Sequence, residues 1–333
     1  MRRLKFFAAL TILFVQTLTP VNASLNGAIN LDNPRVVPIF GQRLGDIASL
    51  ASWSGYLYSP RIVFSAAHAH YRFDESGNRI LWQAPLITVG KPNSAASDKN
   101  VRVKVIKTFI GDYKTSSVGS LNDFIVYVLE QDLAPISKGK LLTAEILKEL
   151  VAAQTDVSTH GYGEFQDRCP GQPGPCKKTD FNDPKMMTSE LPRSPIGSIK
   201  LVEPSYFSWL VGVEKEDLAN HALLSDNLSC SGDSGGPTTA IYKGESIYLG
   251  TTPNGLNVRA CGAGIVDDPT KRLGFFSPVY KHLDLIKEAE EFIKSNTKSK
   301  SKVSITCMKG KLVKKVSAIN PKCPKDYKLK GSA

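Results

Sequence analysis

Cys230-Ser231-Gly232-Asp233-Ser234-Gly235-Gly236-Pro237 is the stretch on which the reading of this chain turns. Glycines on both sides of Ser234 let the backbone turn tightly and aim its N–H groups at one point, a geometry suited to a developing oxyanion. A hydroxyl is a poor nucleophile at neutral pH, so the stretch carries chemistry only if a base and an orienting carboxylate exist elsewhere. Both have candidates. Ile62-Val63-Phe64-Ser65-Ala66-Ala67-His68 reads as a buried strand that delivers a histidine at its end. Asn122-Asp123 stands directly before Phe124-Ile125-Val126-Tyr127-Val128-Leu129, an apolar run able to hold an aspartate at the mouth of a barrel. Along the chain the order is His68, Asp123, Ser234.

The 333 residues can bury one or two sizeable cores, and 41% apolar with 22% charged residues is ordinary for a globular protein. Met1-Arg2-Arg3-Leu4-Lys5, the apolar run Phe6 to Leu18 and the small-residue site Val21-Asn22-Ala23 have the layout of a secretory signal over residues 1–23. That apolar run is too short to span a bilayer comfortably, and no later stretch is suited to it. A secreted, extracellular protein without a transmembrane segment is expected. In that setting six cysteines imply disulfides, with fifteen connectivities open on spacing alone.

The charge is unevenly placed. From Thr297 onward there are eleven lysines and one acid, Asp326, a net +10; Arg2, Arg3 and Lys5 add +3. Removing both from the total of +11 leaves −2 for residues 24–296, so residues 297–333 form a separate basic, two-cysteine tail. Within it, Lys298-Ser299-Lys300-Ser301-Lys302 reads as a solvated linker, and Val303-Ser304-Ile305-Thr306-Cys307 with Leu312-Val313-Lys314-Lys315-Val316 as a hairpin about Lys309-Gly310-Lys311. Such a tail either anchors the chain to a polyanion, such as an anionic cell-surface polymer or a membrane surface, or is only a solubilising appendage. Nucleic acid is not expected, because the tail's single aromatic, Tyr327, offers no stacking platform.

Between the termini, short apolar strands separated by Gly, Pro, Asn and Ser clusters, with little helical periodicity, indicate an all-β domain over residues 24–296. Only Leu283 to Ile293 has helical spacing. His70 shares a strand face with His68 but has no third metal ligand nearby in sequence, and His160, His221 and His282 read as loop, surface or helix residues.

The Ala-Ala-His segment at His68, the Asn-Asp-apolar segment at Asp123 and Gly-Asp-Ser-Gly-Gly-Pro at Ser234 resemble the trypsin/chymotrypsin family of serine endopeptidases. Ser54-Gly55-Tyr56-Leu57-Tyr58-Ser59-Pro60, His160-Gly161-Tyr162-Gly163 and Leu273-Gly274-Phe275-Phe276-Ser277-Pro278-Val279 extend the likeness over roughly residues 24 to 296. The resemblance implies two antiparallel six-stranded β-barrels, about Val36 to Leu133 and Asp156 to Val279, with the active site between them and a C-terminal helix. It implies a catalytic triad of His68, Asp123 and Ser234, an oxyanion hole from the N–H groups of Gly232 and Ser234, no metal or cofactor, and protein or peptide substrates for a monomer. Of the cysteines it pairs Cys230 with Cys261, leaving Cys169 with Cys176 and Cys307 with Cys323. Its bridge beside the catalytic histidine is missing, with Ala69 after His68 and Trp53 in the partner's place. A freed α-amino group would pair with Asp233, either Ser24 after signal cleavage or Val36 after a cut at Arg35. The substrate pocket maps onto Leu228, Gly255 and Gly274. Leu228 stands where trypsin has its pocket-floor aspartate, and Pro253-Asn254-Gly255 replaces the usual Ser-Trp-Gly, so a neutral or apolar residue before the scissile bond is expected. The insertion Phe165 to Ile199 reads as variable surface. The competing class is a catalytically idle protease-fold module that binds an anionic surface through its tail.

Overall fold

The computed structural model describes residues 28–42, 50–81, 86–116, 119–163, 189–194, 198–206, 220–226, 229, 232–251, 254–256, 273–299, 303–318 and 321–330. The first half is a closed barrel of six strands. In spatial order they are Ile125–Leu129, Ile62–Ser65, Leu50–Ser59, Val36–Gln42, Thr88–Val89 and Val103–Ile110, the last pairing back onto the first. All neighbours are antiparallel. Successive side chains of a strand point to opposite faces, which explains why the run from Phe124 to Leu129 is apolar throughout. Ile125, Tyr127 and Leu129 fill the barrel with Val37, Ile39, Leu57 and Val63. Phe124, Val126 and Val128 face outward into a second core, shared with Leu201, Leu224, Tyr248 and Phe276 of the other half. Both faces are buried, so no position in the strand tolerates a polar residue until the chain reaches Asp123 at its mouth.

The second half differs from the expected second barrel. Eight strands form one sheet in the order Lys140–Leu141, Glu245–Thr251, Pro237–Tyr242, Asp156–Thr159, Ile199–Val202, Ala222–Leu224, Leu273–Phe276, Asn254–Leu256. Seven are antiparallel and curl into a half-barrel, while Lys140–Leu141 adds to the edge in parallel. Among the described residues a second closed six-stranded barrel is not shown. The ends of the antiparallel part, Glu245–Thr251 and Asn254–Leu256, are consecutive in the chain, and an isolated bridge joins Gly250 to Pro278.

Helix Ala144–Ala152 lies between the halves, where no helix was expected. Thr143 caps it, its Oγ1 accepting from Ile146 N at 3.2 Å, and buried Leu150 fixes it to the shared core. The C-terminal helix starts at Leu283, as its periodicity suggests, and buries Leu285, Ile286 and Ala289. It runs on to Ser299, taking in the first two residues read as linker. Lysines are good helix formers and are favoured near a helix C-terminus, so Lys294 and Lys298 carry the helix past its apolar stripe. No helix of the described residues is long and apolar enough to cross a membrane.

The tail folds as a sheet of three strands, Val303–Lys309, Leu312–Ala318 and Lys328–Leu329. Gly310, at φ 57°, takes the left-handed conformation of the hairpin turn. Cys307 and Cys323 are joined in a disulfide.

Candidate active site

Register alone brings two of the three candidate residues together. Ile125 is opposite Ser65 in the antiparallel pair, so continuing two residues past each strand end sets Asp123 beside Ala67 and His68. The chain there makes one 3-10 turn, Ala67–Ala69, that swings the imidazole back over the strand end. His68 N donates to Asp123 Oδ1 at 2.9 Å, and His68 Nδ1 lies 2.6 Å from Asp123 Oδ2. The same carboxylate thus holds both the backbone and the ring of His68. Asn122 takes the left-handed region at φ 54°, which asparagine tolerates better than most residues, and its side chain donates to Asp112 O. That turn aims Asp123 inward.

The third residue arrives from the other half. Ser234 precedes the strand Pro237–Tyr242, and its Oγ lies 2.7 Å from His68 Nε2. Asp123, His68 and Ser234 are therefore one continuous hydrogen-bonded chain. Asp123 is buried and the His68 side chain is 30% exposed, so the ring is open on the Ser234 side. Burial disfavours the imidazolium of His68, but the adjacent Asp123 charge and hydrogen bond outweigh it and raise the pKa above the usual histidine value. Asp123 pays the same burial penalty, and the opposing charge and hydrogen bonds of His68 and Ala67 hold its carboxyl below the usual range. An ionised aspartate beside a histidine of raised basicity is the electrostatic arrangement a hydroxyl nucleophile requires.

The loop 232–236 is held largely by the first half. Ser54 N donates to Ser234 O at 3.0 Å, and Ser54 Oγ donates to Gly232 O at 2.8 Å. Tyr162 N donates to that same Ser54 Oγ, and Ser65 Oγ donates to Ser54 O, both at 2.8 Å. Gly232 and Gly235 sit at φ 94° and 81°, which L side chains rarely adopt. A Cβ on Gly235 would also fall 2.6 Å from Ser54 O and 2.7 Å from Ala66 N. Asp233, 2% exposed, accepts from Gly163 N at 2.8 Å. Its carboxylate is packed against glycines 161 and 163, where added Cβ atoms would approach its Cγ to 2.8 and 2.6 Å. The motif His160-Gly161-Tyr162-Gly163 is thus a seat for Asp233.

Of the pocket residues, Gly255 and Gly274 are direct partners in an antiparallel pair, and Leu228 lies outside the described residues. So do Cys230, Cys261, Cys169, Cys176, Ser24, the signal segment 1–23 and most of the insertion. The insertion's described end is tied down: Arg193–Ser194 pairs with Ala28–Ile29, and Glu190 accepts from Ala96 N and Ser97 N.

Of the remaining histidines, His70, His160 and His282 are buried and His221 is half-buried. His70 places Nδ1 3.2 Å from Tyr127 Oη, and burial lowers its pKa to about 4. His282 lies behind the triad, stacked on Phe124 at 4.6 Å with Nε2 2.7 Å from Ser277 Oγ. His160 is buried with both ring nitrogens unpartnered. His221 packs edge-on against Phe275. Sequence reasoning gave no role to Ser54 or Ser65 as individual residues, since a serine in a strand carries no mark of its partner. A usable signal was their smallness within otherwise bulky strands.

Neither protein-family models nor curated proteins match this chain. The β-rich architecture, a closed six-stranded barrel beside a curled half-barrel, is compatible with the trypsin-like fold.

Proposed function

We propose that this chain is a secreted serine endopeptidase of the trypsin-like type. The observation that carries this is the unbroken Asp123–His68–Ser234 hydrogen-bond chain, with members drawn from both halves of the fold. Ser234 Oγ attacks the peptide carbonyl while His68 Nε2 takes its proton. Asp123 fixes the ring tautomer through Nδ1 and stabilises the imidazolium as it forms. The N–H groups of Gly232 and Ser234 receive the oxyanion, and His68 returns the proton to the leaving amine. Water then attacks the acyl carbonyl as His68 Nε2 takes its proton, and His68 returns that proton to Ser234 Oγ as the acyl–oxygen bond breaks and the acid product leaves.

Activation falls to a new α-amino group paired with Asp233. Val36 is a poor source of it, because it is fully buried in the barrel and opposite Tyr56, so a terminus there would stay in the sheet. Ser24, freed by signal cleavage, lies only four residues before the paired segment Ala28–Ile29 and is the preferred terminus. Leu228 offers a basic side chain no ion pair, so a neutral or apolar residue precedes the scissile bond.

The test is digestion of a mixed peptide library by wild type and Ser234→Ala, with the products and the mature N-terminus read by mass spectrometry. Cleavage after apolar or neutral residues by wild type alone is expected, from a chain starting at Ser24. Faster cleavage after arginine or lysine contradicts the specificity. Equal products from both proteins contradict the nucleophile.

A further inference from the structure

The tail sheet has two unlike faces. By register, Ile305, Cys307 and Lys309 share one face with Val316, Lys314, Leu312 and Leu329. This face carries Cys307, a fully buried side chain joined to Cys323. The other face carries Met308 and Val313 side by side, with Lys328 in the same row and Lys315 in the next. Val313 is 61% exposed, and at the hairpin tip Leu312 is 62% exposed. Apolar side chains that stay in water here are flanked by lysines 309, 311, 314 and 315. The tail's single acid, Asp326, pairs with Lys309, and among the described residues no other tail lysine has an acidic partner.

We propose that this hairpin face and tip dock on an anionic lipid bilayer, holding the secreted enzyme at a membrane surface. Charge complementarity brings the sheet to the headgroups, since a net +10 segment is attracted to negatively charged lipid. The exposed apolar residues then choose between anionic partners. A hydrophilic polyanion gains nothing from Leu312 and Val313, whereas an interface accepts them below the headgroups while the lysine stems reach back to the phosphates. The disulfide and the three-stranded ladder keep this small unit in shape without a core, so the apolar side chains need not fold inward. The proposal is independent of the catalytic one and stands or falls separately.

Flotation of the full-length mature protein with phosphatidylcholine vesicles, and with vesicles also containing phosphatidylglycerol, tests it. Co-flotation with the anionic vesicles only, reversed by high salt, is expected. Replacing Lys315 and Lys328 by Gln should weaken partitioning about fivefold per lysine removed. The double variant Leu312→Ser, Val313→Ser should weaken it several-fold further while leaving binding to soluble polyphosphate unchanged. Both positions are exposed, and intact mass checks the disulfide in each variant. No flotation, or vesicle binding indifferent to Leu312 and Val313 and matched by polyphosphate, overturns the proposal, the latter in favour of a hydrophilic polymer.

Discussion

The two halves of the fold hold their parts of the candidate site in different ways. His68 and Asp123 are fixed by the first barrel's own register, with both flanking strands wholly buried. Ser234 is fixed by its neighbour: the carbonyls of Gly232 and Ser234 are bonded to Ser54, a residue of the first barrel. A closed barrel can position its own residues, whereas the loop 232–236, on a sheet with no closure among the described residues, takes its place from contacts across the junction. Conservative changes at Asp123 or His68 should therefore abolish chemistry while sparing the fold, and changes at the junction, at Ser54 or Gly235, should displace the loop.

The largest effect is expected from Asp123→Asn. It keeps the shape but presents the wrong hydrogen-bonding pattern to His68 Nδ1, and activity should fall by about 10⁴-fold. Activity needs neutral His68, so its acid limb should lie above the ordinary value near 6.5 in wild type. In the asparagine variant the residual activity should have its acid limb shifted to lower pH, because the charge that raises the His68 pKa is gone. A pH–rate profile of both proteins checks this, and an unshifted limb would separate Asp123 from the base.

Gly235→Ala comes next. The added Cβ meets Ser54, Ser65 and Ala66 at a φ that alanine avoids, so the loop must move. A rate loss of about 10²-fold or more is expected, the scale of a lost oxyanion donor, with the circular dichroism of the fold retained. Ser54→Ala is milder. It leaves Gly232 O and Tyr162 N without their shared hydroxyl and should cost roughly 1–3 kcal/mol of stability in urea denaturation, with a smaller loss of rate. If Ser54→Ala matched Asp123→Asn in rate, the contrast between the two halves would fail.

These positions also show what could be read from the sequence. Gly235 and Asp123 were legible because their chemistry is local, a positive-φ glycine beside a serine and an aspartate leading an apolar strand. Ser54 was not, because its work is done on residues 178 positions away. The β character of the first half was legible from its apolar runs, while its closure into a barrel was implied only by the resemblance. The open edge of the second half was not legible, since Glu245–Thr251 and Asn254–Leu256 are consecutive in the chain and nothing in their residue pattern marks them as unpaired with each other. Helix Ala144–Ala152 was missed although Thr143 with Ile146, Leu147 and Leu150 carries a cap and helical spacing. Charge bookkeeping found the tail, but only the strand register divided its lysines and apolar residues between faces.

The effect furthest from the chemistry concerns acid stability. Burial lowers the pKa values of His70, His160 and His282 to about 4. Between about 6.5 and 4 the unfolded chain binds more protons than the folded one, so stability is full above about 6.5 and falls as pH drops toward 4, by at most on the order of 3 kcal/mol per histidine. Because neither ring nitrogen of His160 is hydrogen-bonded, His160→Leu should flatten this slope more cleanly than a change at His282, which also loses its bond to Ser277. Urea midpoints measured across that range decide it, and an unchanged slope in His160→Leu would remove that histidine from the account.

The most direct test of the triad is labelling of the mature protein by a fluorophosphonate, which reacts only with an activated serine, in wild type, His68→Ala and Ser234→Ala. Rapid labelling of wild type, slow labelling of His68→Ala and none of Ser234→Ala is the expected result. A folded wild type that takes no label would contradict the proposed chemistry and leave a protease-like binding module in its place.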